Sequence, residues 1–264
     1  MRHFLRDSFV WFVDTVGIAL LYRMYVRRRG PLVRVVAFHD IDDQEWFRNV
    51  IESFVSHYNV VTPQQFHGNA FDAQKINILL TFDDGYQSWV DNVLPVLDTH
   101  NIKALFFICS QLIDCAEDRV KTDSFMRERL YISPKKPLSW HGVERLLDGG
   151  HSVGGHTMTH PNLAELDKEA VQAEIAEDKE RIETYTNGAL VDFAYPFGRS
   201  WHFNESVRQT VRETGYTYAY TAESGFCSAE DQLEIPRLLV EKKQPLRSIN
   251  RWIGGGYDIF NFLR

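Results

Sequence analysis

From residue 33 onward the sequence alternates short apolar runs with longer amphipathic stretches, and no other feature constrains its fold as tightly. The runs VRVVAF (33–38), INILLTF (76–82), KALFFI (103–108), LVDFAY (190–195), YTYAYT (216–221) and RLLV (237–240) have the length and the β-branched and aromatic content of strands. Between them, residues 43–57, 87–99, 140–149, 167–185, 203–214 and 245–254 carry helical periodicity. Strands separated by helices pair through crossovers, so the pattern predicts an α/β layout with a parallel sheet or barrel. Asp167 is placed to cap the helix after it. Position 170 is Ala, so that cap has no reciprocal acidic partner, and the Glu, Lys and Arg of this helix are expected to face solvent. Residues 112–138, with mixed charge and the segment SPKKP, read as an excursion over the surface of one domain. Chemistry in such a layout gathers on the loops at the C-terminal ends of the strands.

The thirty residues before Pro31 obey a different pattern. They are rich in large apolar side chains, but Asp14 interrupts the run well short of the roughly 18 apolar residues a spanning helix needs. No small-residue cleavage site follows the apolar part. On a helical wheel His3, Asp7 and Asp14 fall on one side, and Phe4, Trp11, Ile18, Tyr22 and Val26 on another, as in a helix lying along a surface. Three surfaces fit: a membrane, favoured by the aromatics and by Arg23, Arg27, Arg28 and Arg29, the protein's own barrel, or a second subunit. The expected organisation is an N-terminal amphipathic helix in residues 1–30 followed by one domain over 31–264. The heavier positive charge on the C-terminal flank favours a cytoplasmic location, peripheral at the inner face of the cell membrane. With 29 basic and 36 acidic residues the chain carries −7, and no basic stripe lies outside the N-terminus, which argues against nucleic acid as a partner. Cys109, Cys115 and Cys227 are odd in number and lack CxxC spacing, so neither a disulfide framework nor a cysteine zinc site is indicated.

Two polar stretches stand out. LTFDDGY (80–86) ends an apolar run on adjacent carboxylates, Asp83 and Asp84, where like charges repel and burial is costly. Asp-Gly by itself is a turn signal and needs no chemistry. GGHSVGGHTMTHPNL (149–163) places His156 and His160 four residues apart, a spacing that brings two imidazoles to one face of a helical turn. Position 157 is Thr, so the HExxH form of metalloproteases is absent and a base must come from elsewhere. Two neutral histidines and one carboxylate leave a borderline divalent ion an open position for water. Zinc suits that set first; manganese, cobalt and nickel fit it too. A cation would also relieve the Asp83–Asp84 repulsion, with one aspartate as ligand and the other as base toward water.

TFDDGY, HTMTHP and FAYPFG, in this order, resemble the motifs of the polysaccharide deacetylase family, also called the NodB-homology domain or carbohydrate esterase family four, over roughly residues 33–240. The resemblance implies a distorted (β/α) barrel, here with an N-terminal helical extension, and metal-dependent removal of acetyl groups, usually from N-acetylated sugars. Carried over residue by residue, it implies Asp83 as catalytic base and Asp84, His156 and His160 as metal ligands. In DFAYPFGR (192–199) the turn can present the backbone N–H of Phe197 to an oxyanion, as the family does. Many relatives carry an arginine orienting the catalytic aspartate where this chain has Ala194. Arg237, in EIPRLLV, is the candidate substitute, with a structural salt bridge as the equal alternative.

No histidine follows His202, so the family's C-terminal general acid has no direct counterpart. VVAFHDID (35–42) instead places His39 past the first strand, resembling circularly permuted members; His39 is the expected acid, a core histidine being the alternative. Asp40 would orient its ring or touch substrate. Tyr195, Trp140 and Trp201 are candidates for contact with sugar, although large aromatics more often serve packing. His141, His151 and His202 read as loop or surface residues. The expected activity is removal of N-acetyl groups from an amino-sugar-containing glycan or glycan precursor, in exopolysaccharide or cell-envelope biosynthesis. Deacylation of a lipid-linked sugar, acetyl-ester hydrolysis, and an inactive glycan-binding or scaffold subunit stay open as alternatives.

Overall fold

The computed structural model describes residues 17–228, 232–242, 244–256 and 258. Eight strands, β1 (Leu32–Phe38), β2 (Asn59–Val60), β3 (Ile76–Phe82), β4 (Leu105–Ile108), β5 (Ser152–Gly155), β6 (Asp192–Ala194), β7 (Tyr218–Tyr220) and β8 (Arg237–Leu239), form one sheet. Its order is β7-β6-β5-β4-β3-β1-β8, with β2 beside β3, and every pairing is parallel. The sheet nearly closes. Tyr220 forms a parallel bridge with Ile235, and the Arg237 N–H donates to the Glu223 carbonyl at 2.9 Å, tying the chain entering β8 to the chain leaving β7. The result is a distorted (β/α) barrel with helices interleaved between its strands.

Both faces of the sheet are dry. All seven residues of β1 are buried, as parallel strands between a barrel interior and a helical layer must be. Along β1 and β3 the even-numbered Val36, Phe38, Ile78, Leu80 and Phe82 pack outward against helices such as Gln44–His57. The odd-numbered Val33, Val35 and Leu79 point inward with Leu105, Phe107 and Tyr220. Phe107 and Tyr220, from non-adjacent strands, meet with ring centroids 5.1 Å apart. This two-residue alternation aims Thr81 and Asp83 into the barrel as well. Val35 is in register with Arg237, so Arg237 also points inward.

Several expectations are corrected. Residues 112–138 are not bare surface excursion: Ser110–Asp114 and Arg119–Glu128 are helical, Asp118 caps the second by accepting from Val120 and Lys121, and Phe125 and Met126 are buried. In the helix Lys168–Thr186, Asp167 does cap by accepting from Ala170, but Glu174 and Lys179 are half-buried rather than solvent-facing. Asp178 shares the buried stripe of Val171, Ile175 and Ile182. Ser152–Gly155 is a strand that the apolar-run criterion passed over, because Gly154 and Gly155 supply no side chain to the pattern.

The helix Ile18–Arg27 precedes β1, while His3, Phe4, Asp7, Trp11 and Asp14 lie outside the described residues. Its inner side carries the buried Ala19, Tyr22 against Phe226, and Arg23 donating to the Gly254 carbonyl at 2.8 Å. Tyr22 and Val26 thus belong to the half-buried side of the helix and not to its outer face. Among the described residues, no helix is long and apolar enough to cross a membrane.

Candidate active site

At the C-terminal ends of the strands a cavity of about 570 Å³ is lined by His39, Asp83, Asp84, His156, His160 and Arg237, among others. Backbone geometry explains how adjacent aspartates both reach it. The Asp83 N–H donates to the Phe38 carbonyl at 2.9 Å, prolonging the β1–β3 ladder by one residue and keeping its side chain inward. Asp84 then takes φ 84°, a left-handed conformation that breaks strand alternation and brings the second carboxylate into the same cavity. Such backbone costs on the order of 1–3 kcal/mol and persists where surrounding structure enforces it. Here the Asp84 carbonyl accepts from the Cys109 N–H at 3.1 Å, and Gly85, at φ 123°, fits where a Cβ would lie 2.7 Å from Ile113.

The two carboxylates have different partners. Asp83 receives a two-pronged bond from Arg237, Nη1 to Oδ1 and Nη2 to Oδ2, both 2.7 Å, while Arg237 Nε donates to the Thr221 carbonyl at 2.8 Å. Burial alone would raise the Asp83 pKa; the Arg237 guanidinium, with His156 and His39, outweighs it and holds the group below the ordinary carboxylate range. Asp84 Oδ2 accepts from the Tyr86 hydroxyl at 2.7 Å, leaving Oδ1 facing His156 Nε2 at 3.6 Å and His160 Nε2 at 3.7 Å. Burial again opposes ionisation, and the surrounding imidazoles overcome it, so Asp84 too is held low.

The histidines are carried by a strand end and a loop, correcting the helical-turn expectation. His156 follows β5, with its N–H directed at the Ile108 carbonyl and at Asp178 Oδ2, both at 3.1 Å. Its Nδ1 lies 2.7 Å from the Ala194 carbonyl; in the neutral ring that contact places the proton on Nδ1 and the lone pair on Nε2, toward Asp84. Position 194 therefore serves the site through its backbone. Thr157 at φ 64° and His160 at φ 55° turn the chain back. The turn is pinned to the helix Lys168–Thr186: Thr159 N–H and Oγ1 donate to the Glu174 carboxylate at 2.8 and 2.6 Å. Burial and the neighbouring His156 push His160 down to about 4, whereas Asp84 and Asp83 hold His156 above its usual value against its burial.

One ligand atom from each of Asp84, His156 and His160 lies within 4.8 Å of the others. Two donors on one tetrahedral zinc, at bond lengths of roughly 2.0–2.1 Å, stand about 3.4 Å apart. The Asp84–histidine separations are close to that value and too long for direct hydrogen bonds. Two imidazoles whose Nε2 atoms face one carboxylate oxygen form a donor set that fits a divalent cation.

The sequence pattern of the polysaccharide deacetylase family matches residues 72–219, more than half of the chain. The chain belongs to the polysaccharide deacetylase family. Among curated members, the poly-β-1,6-N-acetyl-D-glucosamine N-deacetylase of Escherichia coli strain K12 is 25% identical over 200 residues, covering 67% of this chain and 29% of that protein. The chitooligosaccharide deacetylase of Rhizobium leguminosarum bv. trifolii is 34% identical over 107 residues, 40% of this chain and 39% of that one. The matches reach from 29% to 66% of the length of these and other curated relatives. Among solved structures, the Streptococcus pyogenes deacetylase PplD, in complex with acetate, superposes with TM-score 0.70 at 17% identity, over 84% of this chain and 98% of that one. IcaB from Ammonifex degensii gives 0.68 at 18% identity, over 86% and 98%. Both likenesses concern the deacetylase barrel fold.

The remaining candidates divide. His39 lines the cavity just past β1, and its carbonyl accepts from Trp89 Nε1 at 3.0 Å. Asp40 lines it too, with Lys135 Nζ 3.0 Å away. Phe197, at φ 58°, packs its ring 4.6 Å from that of His160. Tyr195 reaches the cavity wall but stacks on Phe203 at 4.1 Å, and its hydroxyl donates to the Leu233 carbonyl. Trp140 does not line the cavity: it stacks flat on Tyr185 at 3.9 Å and donates to Asp114. Trp201 is 59% exposed and also outside the lining. His202 and His151 lie on loops, as expected, but His202 lines the cavity and His151 is buried. His141 is exposed beside Glu144, as expected.

Two supporting residues escaped the sequence reading. Tyr86 sits inside the quoted TFDDGY, and its signal was a hydroxyl within reach of the paired carboxylates. Asp178 was detectable as a carboxylate on the apolar stripe of its helix. It accepts from the Ser110 and His156 N–H groups at 2.9 and 3.1 Å, and burial raises its pKa to about 7.

Proposed function

We propose that the chain is a metal-dependent carbohydrate deacetylase that removes N-acetyl groups from an amino-sugar-containing glycan or glycan precursor. One observation carries this reading: Asp84, His156 and His160 converge on one point, with a second carboxylate, Asp83, held beside them by Arg237. The relatives named for poly-N-acetylglucosamine and chitooligosaccharide deacetylation support the substrate class.

In this reading Asp84, His156 and His160 hold the ion, zinc in first place and manganese, cobalt or nickel as alternatives. The ion supplies Lewis acidity, lowering the pKa of water and polarising the acetyl carbonyl. Asp83 accepts the proton of the attacking water, and Arg237 fixes the carboxylate's orientation and keeps it ionised. The Phe197 N–H stabilises the oxyanion, and His39 protonates the departing amine. Asp40, paired with Lys135, contacts the sugar at the cavity rim. We assign residues 31–264 to the catalytic unit and place the protein in exopolysaccharide or cell-envelope biosynthesis, on the cytoplasmic side of the membrane.

The test is acetate release from N-acetylated oligosaccharides and from lipid-linked sugars, using protein stripped of metal and reloaded with zinc, manganese, cobalt or nickel. Release that depends on added metal is expected. Silence toward every substrate, with one ion bound per chain, would remove the enzymatic reading.

A further inference from the structure

The helix Ile18–Arg27 is apolar on two sides, and only one of them is spent on the barrel. Ala19, Tyr22 and Arg23 face inward, as described above. At about 100° per residue, Leu20, Leu21, Met24, Tyr25 and Arg28 share the opposite arc. Leu20, Leu21, Met24 and Tyr25 are 53%, 64%, 52% and 48% exposed. Together with Ile18 they are five of the eleven large hydrophobics exposed among the described residues, all on one ten-residue helix. Scattered surface apolar residues need no explanation, but a concentration of this kind marks an interaction face.

Charge selects the partner. Residues 17–31 contain four arginines and no acidic residue, in a chain whose net charge is −7. Arg27 and Arg29 are anchored on the Gln74 carbonyl and the Tyr25 hydroxyl, and Arg28 lies within the apolar arc. Aliphatic and aromatic side chains around a basic centre match the interface of an anionic bilayer, where apolar groups enter the acyl boundary and arginines meet phosphate. A second copy of this acidic chain would instead set Arg28 near its own symmetry mate.

Position in the barrel gives the orientation. Leu20 and Arg23 border a cleft with Leu32 and Ile76, the first residues of β1 and β3, so the helix lies under the N-terminal ends of the strands. The catalytic cavity opens at the other ends. Seven residues of β1 at roughly 3.3 Å each put about 23 Å between the two levels.

We propose that the Leu20–Leu21–Met24–Tyr25 face docks on an anionic lipid surface and turns the catalytic mouth away from that bilayer, toward glycan chains arriving from the aqueous side. The docking stands on the helix alone; the choice of substrate rests on the deacetylase reading. A sugar held at headgroup level of the same bilayer lies on the wrong side of the barrel.

Flotation of the full chain with phosphatidylcholine vesicles, with and without phosphatidylglycerol, tests the docking. Binding only to the phosphatidylglycerol vesicles is expected, at least tenfold weaker for Leu21→Glu combined with Met24→Glu, and more salt-sensitive than for Arg28→Ser. These exposed side chains touch no catalytic residue, so turnover of a soluble N-acetylated oligosaccharide is expected to be equal in wild type and variants, with or without vesicles. Failure of the wild type to float overturns the docking. So does a concentration-dependent dimer that Leu21→Glu abolishes, which would give the face to a second copy. Faster turnover of a lipid-linked N-acetyl sugar within the same vesicles than of the soluble oligosaccharide overturns the orientation. Flotation without acetate release from any substrate leaves the docking standing and removes the deacetylase reading instead.

Discussion

Among the described residues two buried arginine–aspartate forks stand, one toward each end of the barrel, and their difference separates support from chemistry. At the N-terminal end, both terminal nitrogens of Arg34 reach Asp258, its Nε donates to the Ile253 carbonyl at 3.1 Å, and its guanidinium lies 3.7 Å over the Phe226 ring. Asp258 also accepts from the Ser224 hydroxyl at 2.7 Å. Every edge of that pair is used by protein. The Arg237–Asp83 fork is just as buried, yet it borders the cavity beside Asp84, His156 and His160. Taking charges out of water is costly at both places. Only the second location brings the retained charge into reach of a substrate.

The sharpest way to break this comparison is Asp83→Asn. The amide keeps the volume of the carboxylate but cannot take a proton, so turnover is expected to fall by about a hundred- to ten-thousand-fold. Bound metal, measured by mass spectrometry of the purified protein, should stay at the wild-type level because Asp83 is not among the three converging ligands. Asp258→Asn should leave turnover unchanged. Substantial activity in Asp83→Asn would take the base role away from that residue.

The arginines sharpen the same contrast. Arg34→Met strands a buried carboxylate and should cost about 3–5 kcal/mol in urea unfolding, while the folded fraction keeps its turnover. Arg237→Lys keeps a cation but loses the planar fork. The guanidinium is what holds the Asp83 pKa down. Its weakening lets that pKa rise, so the acid limb of kcat/KM should move to higher pH and kcat should drop. An unmoved acid limb would reduce Arg237 to a structural partner.

What could be read in advance follows from where the information sits. The strand at 76–82 was legible to the residue because INILLTF is a continuous apolar run between polar segments, and the helices at 140–149 and 203–214 because their apolar spacing is periodic. β5 was not, since SVGG carries its meaning in register with β4 and in close packing: a Cβ on Gly154 would lie 2.7 Å from the Phe107 ring. The aspartate pair and the two histidines were visible as motifs, but their convergence depends on left-handed turns at Asp84, Thr157 and His160 that residue type alone does not announce. Arg237 was visible because an arginine inside RLLV is out of place in a strand run. Its pairing with Asp83 was expected only through the family resemblance, beside a structural salt bridge as the alternative, because the two residues are 154 apart in sequence and meet through barrel closure.

His151 extends the comparison to a buried group that belongs to neither fork. Its Nδ1 accepts from the Ala104 N–H at 3.1 Å, and burial, reinforced by Lys103, pushes its pKa down to about 4 from 6.5. The unfolded chain binds this proton below about pH 6.5, and the folded chain only near 4. Stability from this group is therefore complete above 6.5 and declines as pH falls toward 4, by up to about 3 kcal/mol. His151→Asn retains an acceptor and removes the titration, so the loss of urea stability between pH 7 and 4.5 should be smaller in the variant than in wild type. Equal losses would place the ring in contact with water.

The smallest effect probes how far the catalytic end depends on the helix behind it. Lys168–Thr186 anchors the histidine loop through Glu174 and Asp178, and its first turn is capped by Asp167, which accepts from the Ala170 N–H at 2.8 Å. Asp167→Ala should cost about 1 kcal/mol of unfolding free energy. Glu174 and Asp178 lie beyond the first turn and are held by packing around Ile175 and Ile182, so fraying at the cap should stop before reaching them. Metal affinity and kcat should then equal those of wild type. A parallel loss of metal affinity would show that the whole helix, and not only its buried stripe, keeps His156 and His160 turned toward Asp84.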